Sequence, residues 1–319
     1  MNFGGGFRRK LSALIFVFIL SGALSSAYAE SDPVFYRDRF LFRSKNVDEL
    51  VLILLTFERG REGTKAYGEF FGAVFYKNSW SFLEGNDKYI YRSADLKTIQ
   101  PSYFAKAEGS EISGFKLKYD AGDFTLTISS GPIQPLYISN DGPDLKKKVG
   151  AAEGVATLRG KEYWGELVHE PLIWNGYNGL KQYSGLYKEA QTFYLTTEKG
   201  EEIYFHQNKF DRQAFINQYH LSETPKAEGG SILSNRRTIY TFTPPIPLTS
   251  LKKFTPPFAF YTVPERWKVD ASPLGAFYLW SRGSASKNWM FGGRYLMAIE
   301  GILKGEKEER VWGMAEYIP

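Results

Sequence analysis

The stretch Glu153-Gly154-Val155-Ala156-Thr157-Leu158-Arg159-Gly160-Lys161-Glu162-Tyr163-Trp164-Gly165 is echoed late in the chain. There Glu300-Gly301, Gly305 and Trp312-Gly313 recur in the same order, offset by 145 to 148 residues. Each copy has two short strand-like runs around a charged Gly turn, the pattern of a β-hairpin. A second passage, Leu55 to Glu62, matches Leu195 to Glu202 at five of eight positions, 140 residues apart. Recurrence at a fixed long offset is the mark of a duplicated unit. The chain therefore divides into two related halves, residues 30–175 and 176–319, after a separate leader at 1–29.

Each half reads as β. Glu49 to Phe57, Phe70 to Tyr76, Lys88 to Arg92, Gly114 to Tyr119 and Asp123 to Ser129 are strands of the first half, with Arg59-Gly60-Arg61 as a turn. Phe124, Leu126 and Ile128 alternate with threonines, as in a half-buried strand. Ala190 to Thr196, Glu202 to His206, Thr238 to Thr243, Gly275 to Trp280, Tyr295 to Leu303 and Arg310 to Tyr317 repeat the theme. A single amphipathic helix is expected at Asp211 to Tyr219. The five prolines between Pro244 and Pro257 exclude a central strand there. The expected fold is all-β, two tandem lipocalin-like antiparallel barrels or sandwiches with little helix.

Composition narrows the function classes. The 319 residues are 43% hydrophobic and 24% charged, which suits a globular chain. Without cysteine there are no disulfides and no thiolate metal or haem sites. The three histidines, His169, His206 and His220, are too few to spare for a dedicated zinc site. No metal and no cofactor is expected. Arg8, Arg9 and Lys10, the apolar run Leu11 to Leu20 and Ala27-Tyr28-Ala29 form a secretory signal cleaved before Glu30, which implies a periplasmic or extracellular protein. Removing its three cations takes the formal net charge from +5 to +2, so nucleic acid is not an expected partner.

The segment around Gly160, Tyr163, Gly165, His169, Glu170 and Trp174, with the closing Trp312-Gly313-Met314-Ala315-Glu316, resembles the AttH and carotenoid 1,2-hydratase group, related in fold to tocopherol cyclase-like proteins. Val168 stands where the family has Asp, and Pro171 follows the His-Glu pair. The resemblance implies two consecutive lipocalin-like domains that hold apolar ligands, often isoprenoid or lipid.

Residues 163–178 mix aromatic and ionisable groups most densely. In a strand, Glu166, Val168 and Glu170 share one face, and Leu167 and His169 the other. His169 and Glu170 are the candidate catalytic pair; Tyr163, Trp164, Trp174 and Tyr177 are the candidate ligand-binding residues. A carboxyl group buried among aromatics has a raised pKa and can protonate an alkene. The bland alternative is that His169 pairs with Glu170 or a carbonyl and ties the two halves together, with the Trp and Tyr residues filling a barrel bottom. Three functions stay open: carriage of an apolar ligand, hydration or isomerisation of an isoprenoid double bond, and a structural role in the cell envelope. Lys146-Lys147-Lys148 reads as a solvated turn able to meet anionic headgroups, the one feature for peripheral membrane contact. Arg236-Arg237 reads as a second solvated turn, His206 as a satisfied polar group, and His220 as a helix-end charge. Glu265-Arg266-Trp267 and Ser281-Arg282 read as surface pairs or a pocket rim.

Overall fold

The computed structural model describes residues 35–174 and 187–319, apart from 63–64, 84, 86–87, 91–94, 141–144, 211–227, 257–258, 284–288 and 292–293. The expected helix at Asp211 to Tyr219, His220 and Tyr177 lie outside the described residues. Every regular element described is a strand, and the strands form two antiparallel sheets.

The two sheets correspond strand for strand. In each, the first and last strands pair at the centre: β1 (Phe35–Ser44) with β11 (Lys161–Trp174), and β12 (Tyr187–Thr197) with β21 (Glu308–Ile318). On one side follow β2 (Leu52–Glu62), β3 (Lys65–Tyr76) and β4 (Ser79–Phe82), matched by β13 (Glu202–Phe210), β14 (Glu228–Ser234) and β15 (Arg237–Phe242). On the other side lie β10 (Leu145–Leu158), β8 (Thr125–Ser130), β7 (Gly114–Asp120) and β6 (Ala105–Ser110). Their matches are β20 (Arg294–Lys304), β18 (Ala276–Ser281), β17 (Val263–Asp270) and β16 (Leu248–Phe254). Even the side branches agree: β9 (Gln134–Asn140) pairs β10, and β19 (Trp289–Phe291) pairs β20. Only β5 (Lys88–Ile90), on β3, lacks a counterpart among the described residues.

The duplication is real, but only one of the two repeated passages reports it. The Glu153 and Glu300 passages fall on the matching hairpins β10–β11 and β20–β21. The other passage does not fall on matching strands. Gly60 is inside β2, opposite both Phe35 and Tyr67, so Arg59-Gly60-Arg61 is extended strand and not the expected turn. Gly200 does turn, at φ +77°, between β12 and β13. β16 lies between the proline pairs and, among the described strands, is an edge strand bonded to β17.

Each sheet curls around its own core. Phe40, Phe42, Ile53, Leu55, Phe57, Leu117 and Ile128 fill the first; Phe193, Phe205, Trp267, Phe277 and Met297 fill the second. A third cluster joins the outer faces of the two sheets, with Leu41, Leu54 and Val168 meeting Tyr194, Tyr204, Trp312 and Met314. The central strands are thus covered on both sides, which is why β1 is buried along its length despite three arginines. Arg282, in place of a simple surface pair, bonds Glu300 at 2.9 Å and donates across to the Val47 carbonyl. Trp267 is core, donating to Gln191 Oε1 at 2.9 Å.

Candidate functional site

Strand alternation separates the two central candidates. His169 is opposite Phe40 and points into the first core; Glu170 is opposite Arg39 and points into the seam between sheets. Both are buried, on opposite sides of one sheet.

Glu170 accepts from Arg37 Nη2 at 2.5 Å and from the Tyr194 hydroxyl at 2.6 Å, with Lys147 Nζ at 3.2 Å. Arg39 lies 4.0 Å from Glu170 and makes a two-pronged contact with Glu316 at 2.6 and 3.2 Å. Arg294 reaches Glu316 at 3.4 Å. Burial by itself would raise the Glu170 pKa, but Lys147, Arg37 and Arg39 together hold it far below the carboxylate range. Glu316 is lowered to about 2, against the same burial effect, by Arg39 and Arg294. The raised pKa expected for Glu170 is therefore reversed: it is a fixed carboxylate, not a proton donor. Lys147 is likewise buried inside β10, not part of a solvated turn, while its neighbours Lys146 and Lys148 are exposed.

Further along the seam, Arg43 Nη2 bonds Glu166 at 2.8 Å and Glu202 at 2.6 Å. Burial and the Glu166 charge push Glu202 well above the usual range, although Arg43 opposes them, while Glu166 is lowered. His206 is fully buried with its Nδ1 3.2 Å from the Tyr204 hydroxyl.

On the inner side, His169 Nε2 lies 2.8 Å from Asp38 Oδ1, and Nδ1 lies 3.4 Å from Glu111. Its ring stacks on Phe40 at 4.6 Å and tilts against Phe115 at 4.7 Å. Asp38 also takes Arg59 Nη2 at 2.6 Å. Burial lowers the His169 pKa, but Asp38 and Glu111 outweigh it, and the net shift is upward.

The ligand-binding candidates do not converge. Tyr163 points inward beside Tyr76, ring centroids 6.5 Å apart. Trp164 faces outward and is 70% exposed. Trp174 is buried at the far end of β11. The described residues do contain a cavity of about 400 Å³, at the end of the first half where the β3–β4, β7–β8 and β10–β11 turns meet. Val74, Tyr76, Leu83, Tyr119, Phe124 and Leu158 line it together with Ser79 and Ser81, and Lys77, Asp123 and Arg159 stand at the hairpin tips around it. Neither His169 nor Glu170 lines it. The rings of Tyr119, Phe70, Phe57 and Phe40 form a series from the cavity wall to the ring on which His169 stacks, with centroids 6.2, 5.3 and 6.2 Å apart. The sequence signal that could have found this site is slight, a large apolar residue before a basic hairpin tip at Tyr76-Lys77 and Leu158-Arg159.

No protein-family model matches the chain, and no curated protein matches it in sequence. Solved structures do. A Nitrosomonas europaea protein designated AttH superposes with a TM-score of 0.61 at 12% identity, over 89% of this chain and 92% of that one. Kievitone hydratase of Nectria haematococca gives 0.56 at 13% identity, over 91% of each chain. CghA bound to Sch210972 gives 0.51 at 9% identity, over 89% of this chain and 88% of that one. At such identities the likeness speaks for the fold, and the fold of this chain is the tandem lipocalin-like fold of AttH and hydratase-type proteins.

Proposed function

We propose that this is an exported lipocalin-like protein that binds an apolar, lipid- or isoprenoid-like ligand in the cavity of its first half. The observation that carries the reading is the cavity itself. Its volume of about 400 Å³ falls in the range of small-molecule sites, roughly 300–1,000 Å³. Aromatic and aliphatic side chains share its lining with Ser79, Ser81, Lys77, Asp123 and Arg159. Export rests on the basic-apolar-small pattern of residues 8–29.

Hydration of an alkene is the rival reading, drawn from kievitone hydratase. It needs a carboxylic acid facing the ligand. Glu170 is ionised and faces the opposite side of the sheet, so the His169-Glu170 pair does not supply one. Asp123, at the lip, is the carboxyl group among the described lining residues.

Titrating the purified chain with fluorescent fatty-acid, isoprenoid and phospholipid probes tests the binding reading. Saturable one-to-one binding of an apolar probe is expected, abolished by Ala121→Trp, which fills the cavity from the β7–β8 turn. Absence of binding to every probe refutes it. Incubation with isoprenoid alkenes and mass spectrometry for an added water tests the rival. For export, the full chain expressed in a bacterium should appear outside the cytoplasm with Glu30 as its first residue.

A further inference from the structure

We infer that the ligand of the first-half cavity is a monomeric amphipath with a single anionic head, its chain inserted among the aromatic rings and its head held between Lys77 and Arg159. This deepens the binding reading above and rests on it.

Two features place two cations at the mouth of a cavity lined in part by aromatic rings. The first is position. Lys77 opens the two-residue turn between Tyr76 and Ser79, and Arg159 the one between Leu158 and Lys161. Both turns have positive φ at both positions: 51° and 60° in the first, 52° and 78° in the second. Such turns favour Asn, Asp or Gly at the first position, and a long side chain there is conformationally unfavourable. The turn gains nothing from Lys or Arg; the cavity lip gains two cations.

The second feature is pairing. Among the described residues, four exposed lysines elsewhere on this half find carboxylates, and others do not: Lys45 pairs with Glu153, Lys106 with Glu108, Lys118 with Asp120, and Lys161 with Glu49. Lys77 and Arg159 are in no ion pair among the described residues, although Asp123 lines the same lip. They lie instead over cavity aromatics, Lys77 Nζ 5.3 Å from the Tyr76 ring centre and Arg159 Cζ 5.3 Å from that of Phe124. Both side chains are exposed and anchored by those rings. An acyl or prenyl chain seated between the rings therefore puts its terminal group within reach of both cations. A carboxylate or phosphate head complements them; a quaternary amine is repelled.

Calorimetric titration of the full chain with dodecanoate, dodecanol and dodecylammonium, all below their aggregation concentrations, tests this. Dodecanoate should bind at least about fivefold tighter than dodecanol, the scale of one or two solvent-exposed ion pairs, and dodecylammonium weakest of all. The preference should fade as NaCl is raised. The double variant Lys77→Gln/Arg159→Gln should bring dodecanoate to the affinity of dodecanol and leave dodecanol unchanged, which also certifies the fold. Equal affinity for the three heads overturns the inference, as does a double variant that weakens acid and alcohol alike. If the chain ignores monomeric dodecanoate and sediments only with phosphatidylglycerol vesicles, the cations read a membrane surface and the inference falls. Dodecanol binding that Ala121→Trp abolishes, without preference for the acid, leaves the cavity reading standing and removes only the head-group assignment. No binding by any chain compound removes both.

Discussion

The two halves share one hydrogen-bonding frame and fill it with different chemistry. Gly165 and Gly313 fix the correspondence: a Cβ on either would come within about 2 Å of a carbonyl oxygen on the first strand of its half, at Arg43 and Tyr194 respectively. Counting from these glycines, Trp164 matches Trp312, His169 matches Tyr317, and Glu170 matches Ile318. Asp38 matches Glu189 on the first strands. Where the first half ties its ends together with His169 and Asp38, the second uses the Tyr317 hydroxyl, 3.1 Å from the Thr262 carbonyl and 3.4 Å from Glu189, with one proton to share between them. Trp164 is on the surface, while Trp312 is buried in the seam and donates to the Ser44 carbonyl at 3.1 Å. The sheet is retained through duplication because every backbone group needs its partner. Side chains are free to diverge wherever their neighbours differ, and the seam, which covers the two outer faces unequally, is where they differ most.

The largest effect should come from the seam tryptophan. Trp312→Ala removes a buried indole and its hydrogen bond, and should destabilise the chain by about 4–5 kcal/mol, the upper part of the range for such truncations. Chemical denaturation monitored by circular dichroism measures it. If the loss matches that of the surface Trp164→Ala, the seam does not join the halves cooperatively.

Next is Glu170. Its replacement by Gln leaves Arg37, Arg39 and Lys147 buried around an uncharged amide, at a cost of about 3 kcal/mol near neutral pH. The pH dependence sharpens this. A carboxylate with a lowered folded-state pKa stabilises fully above its unfolded value, near 4.5, and loses that contribution as pH falls toward the folded value. The gap between the parent chain and Glu170→Gln should therefore be constant above about pH 5 and shrink below pH 4.5. A gap that grows in acid would mean that Glu170 is protonated at neutral pH, restoring it as a candidate proton donor.

The sequence makes the β class, eleven strands and the two-half plan legible, because alternation and hairpin punctuation are local signals. It hides β1. With Arg37, Arg39 and Arg43 on one face, this strand reads as half solvated, and only the seam buries that face. The same gap explains Glu170. Its neighbours in the chain are mostly apolar, but its charge partners come from β1 and β10 and its Tyr194 hydrogen bond from the other half, which no local pattern announces. Alternation did predict that His169 and Glu170 point apart. The cavity was barely legible: its wall is assembled from three hairpin ends, and Val74, Tyr119 and Leu158 are far apart in sequence.

The inner pair gives a smaller effect. His169→Gln keeps the hydrogen-bonding shape and loses the charge, and should cost about 1–3 kcal/mol, whereas Tyr317→Phe should cost about 0.5–1.5 kcal/mol. The upward pKa shift of His169 sets the sign of its pH dependence. Its contribution is complete below the unfolded value near 6.5 and is lost as pH rises through the higher folded value. The difference between the parent and His169→Gln should thus fall on the alkaline side of 6.5. Melting temperatures across pH 5 to 9, about that interval, read it. A difference that rises with pH would mean the imidazole is buried neutral and Asp38 is satisfied by Arg59 alone.

The smallest effect is expected at Trp164, and it tests where the ligand goes. An aromatic next to the central His-Glu pair is a natural choice for a binding surface when only the sequence is known. The structure puts it on the outer face of β11, 70% exposed, while Tyr163 beside it turns inward toward Tyr76 and the cavity. Substituting an exposed side chain that supports no cap, turn or buried pair changes stability by about 0.5 kcal/mol or less. Trp164→Ala should therefore leave the denaturation midpoint almost unmoved and the affinity for apolar probes intact. Tyr163→Ala should weaken probe binding by loosening Tyr76 at the cavity wall. The reverse pattern, with binding lost at Trp164 and kept at Tyr163, would move the ligand from the inside of the first sheet to its outer face. The halves would then differ in function at the very position where Trp312 is closed into the seam and Trp164 is left open.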